Sequence, residues 1–255
     1  MSGIGSALRV EFRKSLASPV LRAITVFVVV GIALLSGALV SAALAGNAQV
    51  TAQLGHLAGT TGWPLLTGLV AQVTAAGGLL AFGVALSWMF GREFAEGTIA
   101  GLFGLPVTRA SIAAAKLLVY AGWVVGVSAG LVILVAGAGM ALGLGTVDAG
   151  VIESLARQFI LTVLSGLLAV PAAWAATLGR GYLPGVAGTI GLLALAQIAV
   201  VADTRVAAWL PIAAPALWAL FPDQVDHWQL LAALAVPLAF GVLTIRSWRR
   251  LRFDR

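Results

Sequence analysis

Two histidines, two lysines and one serine framed by glycines are the residues of this 255-residue chain from which catalysis or cofactor chemistry would have to be built. Gly126-Val127-Ser128-Ala129-Gly130 has the spacing of a serine-hydrolase nucleophile turn, in which a strained strand-to-helix bend presents the hydroxyl to a histidine base. The partners are missing: His56 and His227 fall in loops far in depth from Ser128, and no strand pattern precedes the serine. The bland reading is stronger, because Gly122, Gly126 and Gly130 recur every fourth residue and form a small-residue stripe against which another helix can pack. Zinc built on thiolate is excluded by the absence of cysteine, and only Asp226 lies beside a histidine, so no metal site is expected. A P-loop needs a glycine-rich run ending in Gly-Lys-Ser/Thr, yet Lys14 follows Arg13 and Lys116 follows Ala115. The chain is therefore expected to carry no catalytic residue and no cofactor, and not to bind ATP in that manner.

The elements that would position any site are membrane helices. Hydrophobic residues make up 61% of the chain and charged residues 9%, against roughly 45–50% and 25% in soluble domains. No long stretch offers the polar face that a soluble surface helix requires, so lipid must be the solvent for much of the surface. The net charge of +6 is spread beside apolar runs and does not gather into one basic domain, which argues against nucleic acid as a partner.

Residues 1–21 read as an amphipathic interfacial helix: Ile4, Leu8, Phe12 and Leu16 repeat at i+4, with Arg9, Arg13 and Lys14 elsewhere on the wheel. Ser18-Pro19 supplies a stop and restart. Six spans follow, at about residues 23–46, 65–90, 112–145, 158–179, 182–202 and 228–246. Arg9, Arg13 and Lys14, the apolar run and Ala43-Leu44-Ala45 together imitate a secretory signal, but the run exceeds the roughly 7–15 residues of a signal core, so the segment is expected to be retained. Trp63-Pro64 marks the entry of the second span, and Gly179-Arg180-Gly181, with Pro184 just beyond, turns the chain between the fourth and fifth. Residues 203–227 read as an outer re-entrant or short-helix segment. Trp63, Trp209, Trp218 and Trp228 at that side, and Trp248 at the other, are expected to anchor their rings in the headgroup layers.

This layout places thirteen of the fifteen Lys and Arg on the side of the two termini, leaving only Arg157 and Arg205 opposite. By the positive-inside rule both termini are cytosolic. The basic tail from Arg246 to Arg255 is expected to touch anionic lipid.

The most informative segment is the cytosolic one at residues 91–110. Glu93 and Glu96 close the second span, Gly97 can take the positive φ of a helix stop, and Thr98 can cap a short helix. That helix places Ile99, Leu102 and Phe103 on one face, and Leu105-Pro106 ends it. Thr108 or Ser111 starts the third span. An exposed apolar face of this kind asks for a partner.

Glu93, Glu96-Gly97-Thr98-Ile99, Leu102, Leu105-Pro106-Val107-Thr108-Arg109 and Lys116, between spans two and three, resemble the permease subunits of type-two ABC exporters in content and order. The resemblance covers most of the chain as layout and this loop as a specific motif; Gly101 and Gly104 depart from it, standing where leucine or serine is common. It implies that residues 91–110 carry the coupling helix that docks on a separate P-loop ATPase, with Glu93 or Glu96 and Arg109 as candidates for the polar contacts. It further implies that the N-terminal helix is the connecting helix and that short helices after the fifth span cap the exit. Two ATPase copies holding ATP and Mg, and a second permease chain taken as identical, complete the expected assembly. Arginine- and alanine-rich usage points to a bacterial source, hence a multi-pass protein of the inner (plasma) membrane.

The implied function is export of a hydrophobic or amphipathic substrate, such as a drug, lipid or peptide. Gln72 and Gln197 are the notable polar residues inside the spans and the weak candidates for touching it. The alternatives are a secondary transporter, which normally needs ionisable groups at mid-membrane, and a membrane scaffold or immunity protein that uses the same docking loop without translocation.

Overall fold

The computed structural model describes residues 3–102, 104 and 106–251, without the side chain of His56. Phe103, Leu105 and the last four residues, Arg252 and Arg255 among them, lie outside the described residues. Those described form an all-helical bundle with no strand and six helices long and apolar enough to cross a membrane: Pro19–Leu44, Gly62–Ala95, Arg109–Ala141, Ala149–Leu178, Tyr182–Ala202 and His227–Arg249.

Local chemistry sets the boundaries. The N-terminal helix Gly3–Ala17 stops where Ser18 takes an extended backbone, and the Ser18 hydroxyl then accepts the N–H of Leu21 at 3.1 Å to start the first span on Pro19. Within that span Phe27–Gly31 forms a short π-helical segment. The third span is capped by Thr108, whose side chain accepts from Ser111 N at 3.1 Å, and it ends at Ala141 because Gly143 and Gly145 take positive φ. The fourth begins at Ala149, well before the expected residue 158. Asp148 caps it by accepting from Val151 N at 2.9 Å, and a Glu153–Arg157 pair at 2.6 Å supports its polar first turns, which an apolar-run criterion passes over. Pro171, lacking an N–H, breaks this span after Leu168.

The second span is the centre of the bundle. Of its most apolar stretch 61% is buried, similar to the 67% of the fourth span and against 17% for the fifth and sixth, whose outer faces must meet lipid or another chain. It packs against both the fourth and the fifth spans. A Cβ on Gly91 would lie 2.4 Å from Tyr182 N of the fifth span, and one on Gly185 of the fifth span would lie 2.7 Å from Ala172 O of the fourth, so these glycines let backbone approach backbone. Hydrogen bonds tie the rest together. The Tyr120 hydroxyl donates to Gly166 O at 2.7 Å, joining spans three and four, and the Trp123 indole N–H donates to the Thr25 hydroxyl at 2.9 Å, joining spans three and one. Short helices between the fifth and sixth spans, Thr204–Ala207 and Ala214–Leu220, pack around Ala208, Ala213 and Leu217 at the end of the bundle opposite the termini.

Two tryptophans depart from the expectation of interfacial anchors. Trp63 is buried, its N–H donating to Gly145 O at 3.2 Å, and Trp248 is wholly buried, its N–H donating to the Thr177 hydroxyl at 3.0 Å. Trp209 and Trp228 do stand exposed. The difference is partnership: a buried indole needs an acceptor, and the fold brings one to Trp63 and Trp248.

Candidate functional site

The second span carries its helix to Ala95, and Gly97 at φ 68° turns the chain out of it. The Thr98 hydroxyl donates back to Glu93 O at 3.5 Å, and a one-turn helix, Ile99–Leu102, follows. Ile99 and Leu102 are half-buried against the main core, so this part of the expected apolar face is partly covered by the chain itself. What the segment presents outward is Glu96, Gly97, Thr98, Ala100, Gly101 and Pro106. Arg109 turns the other way, its guanidinium donating to the backbone carbonyl of Leu251 and tying the third span's start to the chain's end.

Beneath this segment lies a cluster of four charges from three elements, with Glu11, Glu93 and Lys116 buried and Lys14 partly exposed at its edge. Lys116 Nζ, from the third span, is 2.8 Å from Glu11 Oε2 of the N-terminal helix and 2.8 Å from Glu93 Oε1 of the second span. Lys14 adds contacts at 3.1 Å to Glu11 Oε1 and 3.5 Å to Glu93 Oε1. Two positive and two negative charges cancel, which makes burial of the group tolerable. Burial pushes the Glu11 carboxyl up, but the ammonium groups of Lys116 and Lys14 outweigh it and hold that carboxyl below its ordinary range. Glu93 Oε2 is buried and, among the described residues, has no hydrogen-bond partner. The Trp248 ring roofs the cluster 6.0 Å from Lys116 Nζ, with Phe90 and Phe94 packed edge-on against it.

The residues singled out from sequence therefore separate. Glu96 is exposed at the turn, whereas Glu93 is 2% exposed and engaged inside the chain. Glu11 and Trp248 were not singled out as site residues. The one available signal was an acidic residue on the wheel of an otherwise basic N-terminal helix, at a position the apolar stripe does not use.

A second feature lies toward the opposite end of the bundle. Gln72 on the second span and Gln197 on the fifth, distant in sequence, line one cavity of about 290 Å³ together with Ser165 and the short helix Ala214–Leu220. Both glutamines are exposed on the single chain. The interior glutamine that bonds a neighbouring helix is Gln158, whose amide donates to Thr74 and Thr162 at 2.9 and 3.1 Å. Gly122 and Gly126 have open space where a Cβ would stand, so no other helix of this chain packs on that face of the third span. Among the described residues no group of three or more metal-ligating side chains occurs.

A search of curated proteins finds no match for this chain. A family model described as ABC-2 family transporter protein matches residues 7–197, from the N-terminal helix through all but the last turn of the fifth span, and so takes in the charge cluster, the turn above it and both cavity glutamines. The chain is a membrane protein of the ABC-2 transporter family.

Proposed function

We propose that this chain is the permease subunit of an ATP-driven exporter, that both its termini are cytosolic, and that the turn from Glu96 to Pro106 docks on a separate P-loop ATPase. One observation carries the mechanism: Lys116 binds Glu93 at the root of that turn and Glu11 on the N-terminal helix at the same time. A displacement of the turn by a closing ATPase pair is thereby delivered to the N-terminal helix and to spans two and three together. ATP must bind the two states of the assembly with different affinity to supply the work.

The substrate path follows the face of spans two and five. An exposed amide inside a span is costly against hydrocarbon, so the side bearing Gln72 and Gln197 faces a second copy of the chain and the path between the copies. An apolar cavity with a few neutral hydrogen-bonding groups suits a hydrophobic or amphipathic substrate and disfavours an ion.

The test is co-purification in mild detergent of the chain expressed with its native gene neighbours, followed by an ATP hydrolysis assay on whatever is retained. Leu102→Asp with Phe103→Asp, and separately Glu96→Lys on the exposed ridge, are expected to lose the ATPase while the permease remains inserted. Full ATPase binding and normal transport by both variants would remove the docking assignment.

A further inference from the structure

The N-terminal helix and spans one and three enclose an open apolar groove of about 750 Å³ that takes no part in the docking turn or the glutamine cavity. Leu8, Phe12 and Leu16 form its lip, Val29 one wall, and Gly122 and Gly126 its floor. Phe12 and Leu16 are more than half exposed, since the N-terminal helix packs on the bundle through Ala7 and Glu11 instead. The stripe read from sequence as amphipathic thus borders a trough that the chain leaves unfilled.

We infer that this groove holds one acyl chain of an anionic phospholipid. Three observations select that occupant. The groove demands an apolar guest, because Thr25 and Trp123 in its lining satisfy each other: the Thr25 hydroxyl accepts the Trp123 N–H at 2.9 Å and donates to Leu21 O at 2.8 Å. Its floor runs along the third span from Leu118 to Gly130, about 18 Å at 1.5 Å per residue, close to one leaflet of a hydrocarbon core about 30 Å thick. Its mouth is basic. Arg22 lies in the lining, exposed, and is braced across the helix junction by bonds to Ala17 O at 3.2 Å and Ser18 O at 3.4 Å. Arg9 and Arg13, also exposed, follow Phe12 and Leu16 around the helix wheel and so flank the lip at headgroup depth. A second copy of the chain is better placed on the opposite, glutamine-bearing face, where exposed amides need polar cover. In the groove such a lipid fills the space over the glycines and fastens the N-terminal helix, which carries Glu11 of the charge cluster, to the membrane.

The test is native mass spectrometry of the full-length protein with any co-purifying ATPase, titrated with phosphatidylglycerol or phosphatidylcholine of the same acyl composition. Phosphatidylglycerol is expected to be retained at one per chain. Gly126→Leu and Gly122→Leu, which enter open space and leave the fold intact, should each weaken retention of both lipids about tenfold by filling the groove. Arg22→Gln should cut the preference for phosphatidylglycerol about fivefold, and Gly37→Leu, at an open glycine outside the groove, should change nothing. Unaltered lipid retention in both filling variants overturns the inference, as does wild-type protein that keeps no lipid. A filling variant that turns a dimer into a monomer with its lipid count unchanged overturns it too, and assigns the groove to the interface between copies.

Discussion

Lys116 Nζ donates to Glu11 Oε2 at 2.8 Å across 105 residues of sequence, so the N-terminal helix is bolted to the foot of the third span by a buried ion pair. The same ammonium holds Glu93, the last buried residue before the exposed turn. A buried cluster of this kind adds little over an apolar replacement of the whole set, but removing one member strands the others.

Lys116→Met is accordingly expected to destabilise the protein by about 3–5 kcal/mol, since it leaves two buried carboxylates facing Lys14 alone. Thermal unfolding in mild detergent reads this directly. Adding Glu11→Gln and Glu93→Gln to the same chain should restore part of the loss, and a Lys116→Met protein as stable as wild type would mean the pair is not formed.

The pH dependence of the cluster has a definite sign. Glu11 in the folded protein titrates below its ordinary value of 4.5, so its ion pairs contribute fully above that value and are lost as the pH falls through the lowered one. The stability difference between wild type and Glu11→Gln should be flat from neutral pH to about pH 5 and shrink only in stronger acid. Unfolding curves of both proteins across that range check it; a difference that widened on acidification would contradict the geometry.

The glycines of spans two and five should prove less replaceable than those of span three. Gly91→Ala and Gly185→Ala drive a methyl against backbone at 2.4 and 2.7 Å, which calls for about 1–3 kcal/mol of destabilisation. Gly122→Ala and Gly126→Ala meet nothing within 4 Å and should lie within about 0.5 kcal/mol of wild type. Melting temperatures of the four variants separate the two sets, and the reverse order would mean that the fifth span does not touch spans two and four as described.

Gln72→Leu combined with Gln197→Leu should lower transport of neutral amphipathic dyes about tenfold, leaving melting temperature and basal ATP hydrolysis of the complex unchanged. Losing one or two hydrogen bonds to the moving substrate is enough for that factor. Transport at the wild-type rate would place the path elsewhere.

How much of this was legible beforehand follows from the range of each signal. Membrane class, six helices and their order can be read from apolar run length and from punctuation such as Ser18-Pro19, Gly97 and Thr108, because helix formation in lipid is settled within each segment by its own backbone hydrogen bonds. The family is legible for the same reason: Glu96-Gly97-Thr98-Ile99 and Pro106-Val107-Thr108-Arg109 are short contiguous motifs. Even so, the fourth span's start at Ala149 is not legible from apolar run length, since its first turns are held by a polar cap and an ion pair that hydropathy does not register.

What needed the tertiary structure is every relation between distant segments. Glu93 looked like a loop carboxylate, and only the packing of the N-terminal helix and third span shows it buried on Lys116. Gln72 and Gln197 share a cavity that no spacing rule links. Trp248 reads as an interfacial ring until Thr177 comes within 3.0 Å of its N–H. The glycine stripe of the third span is conspicuous in sequence yet open in space, while Gly91 and Gly185, outside that stripe, hold the tightest approaches to backbone atoms. The physical reason is common to all four. Sequence periodicity reports which face of one helix differs from another, whereas burial and ion pairing depend on which helix arrives at that face, a choice made by packing of the whole bundle.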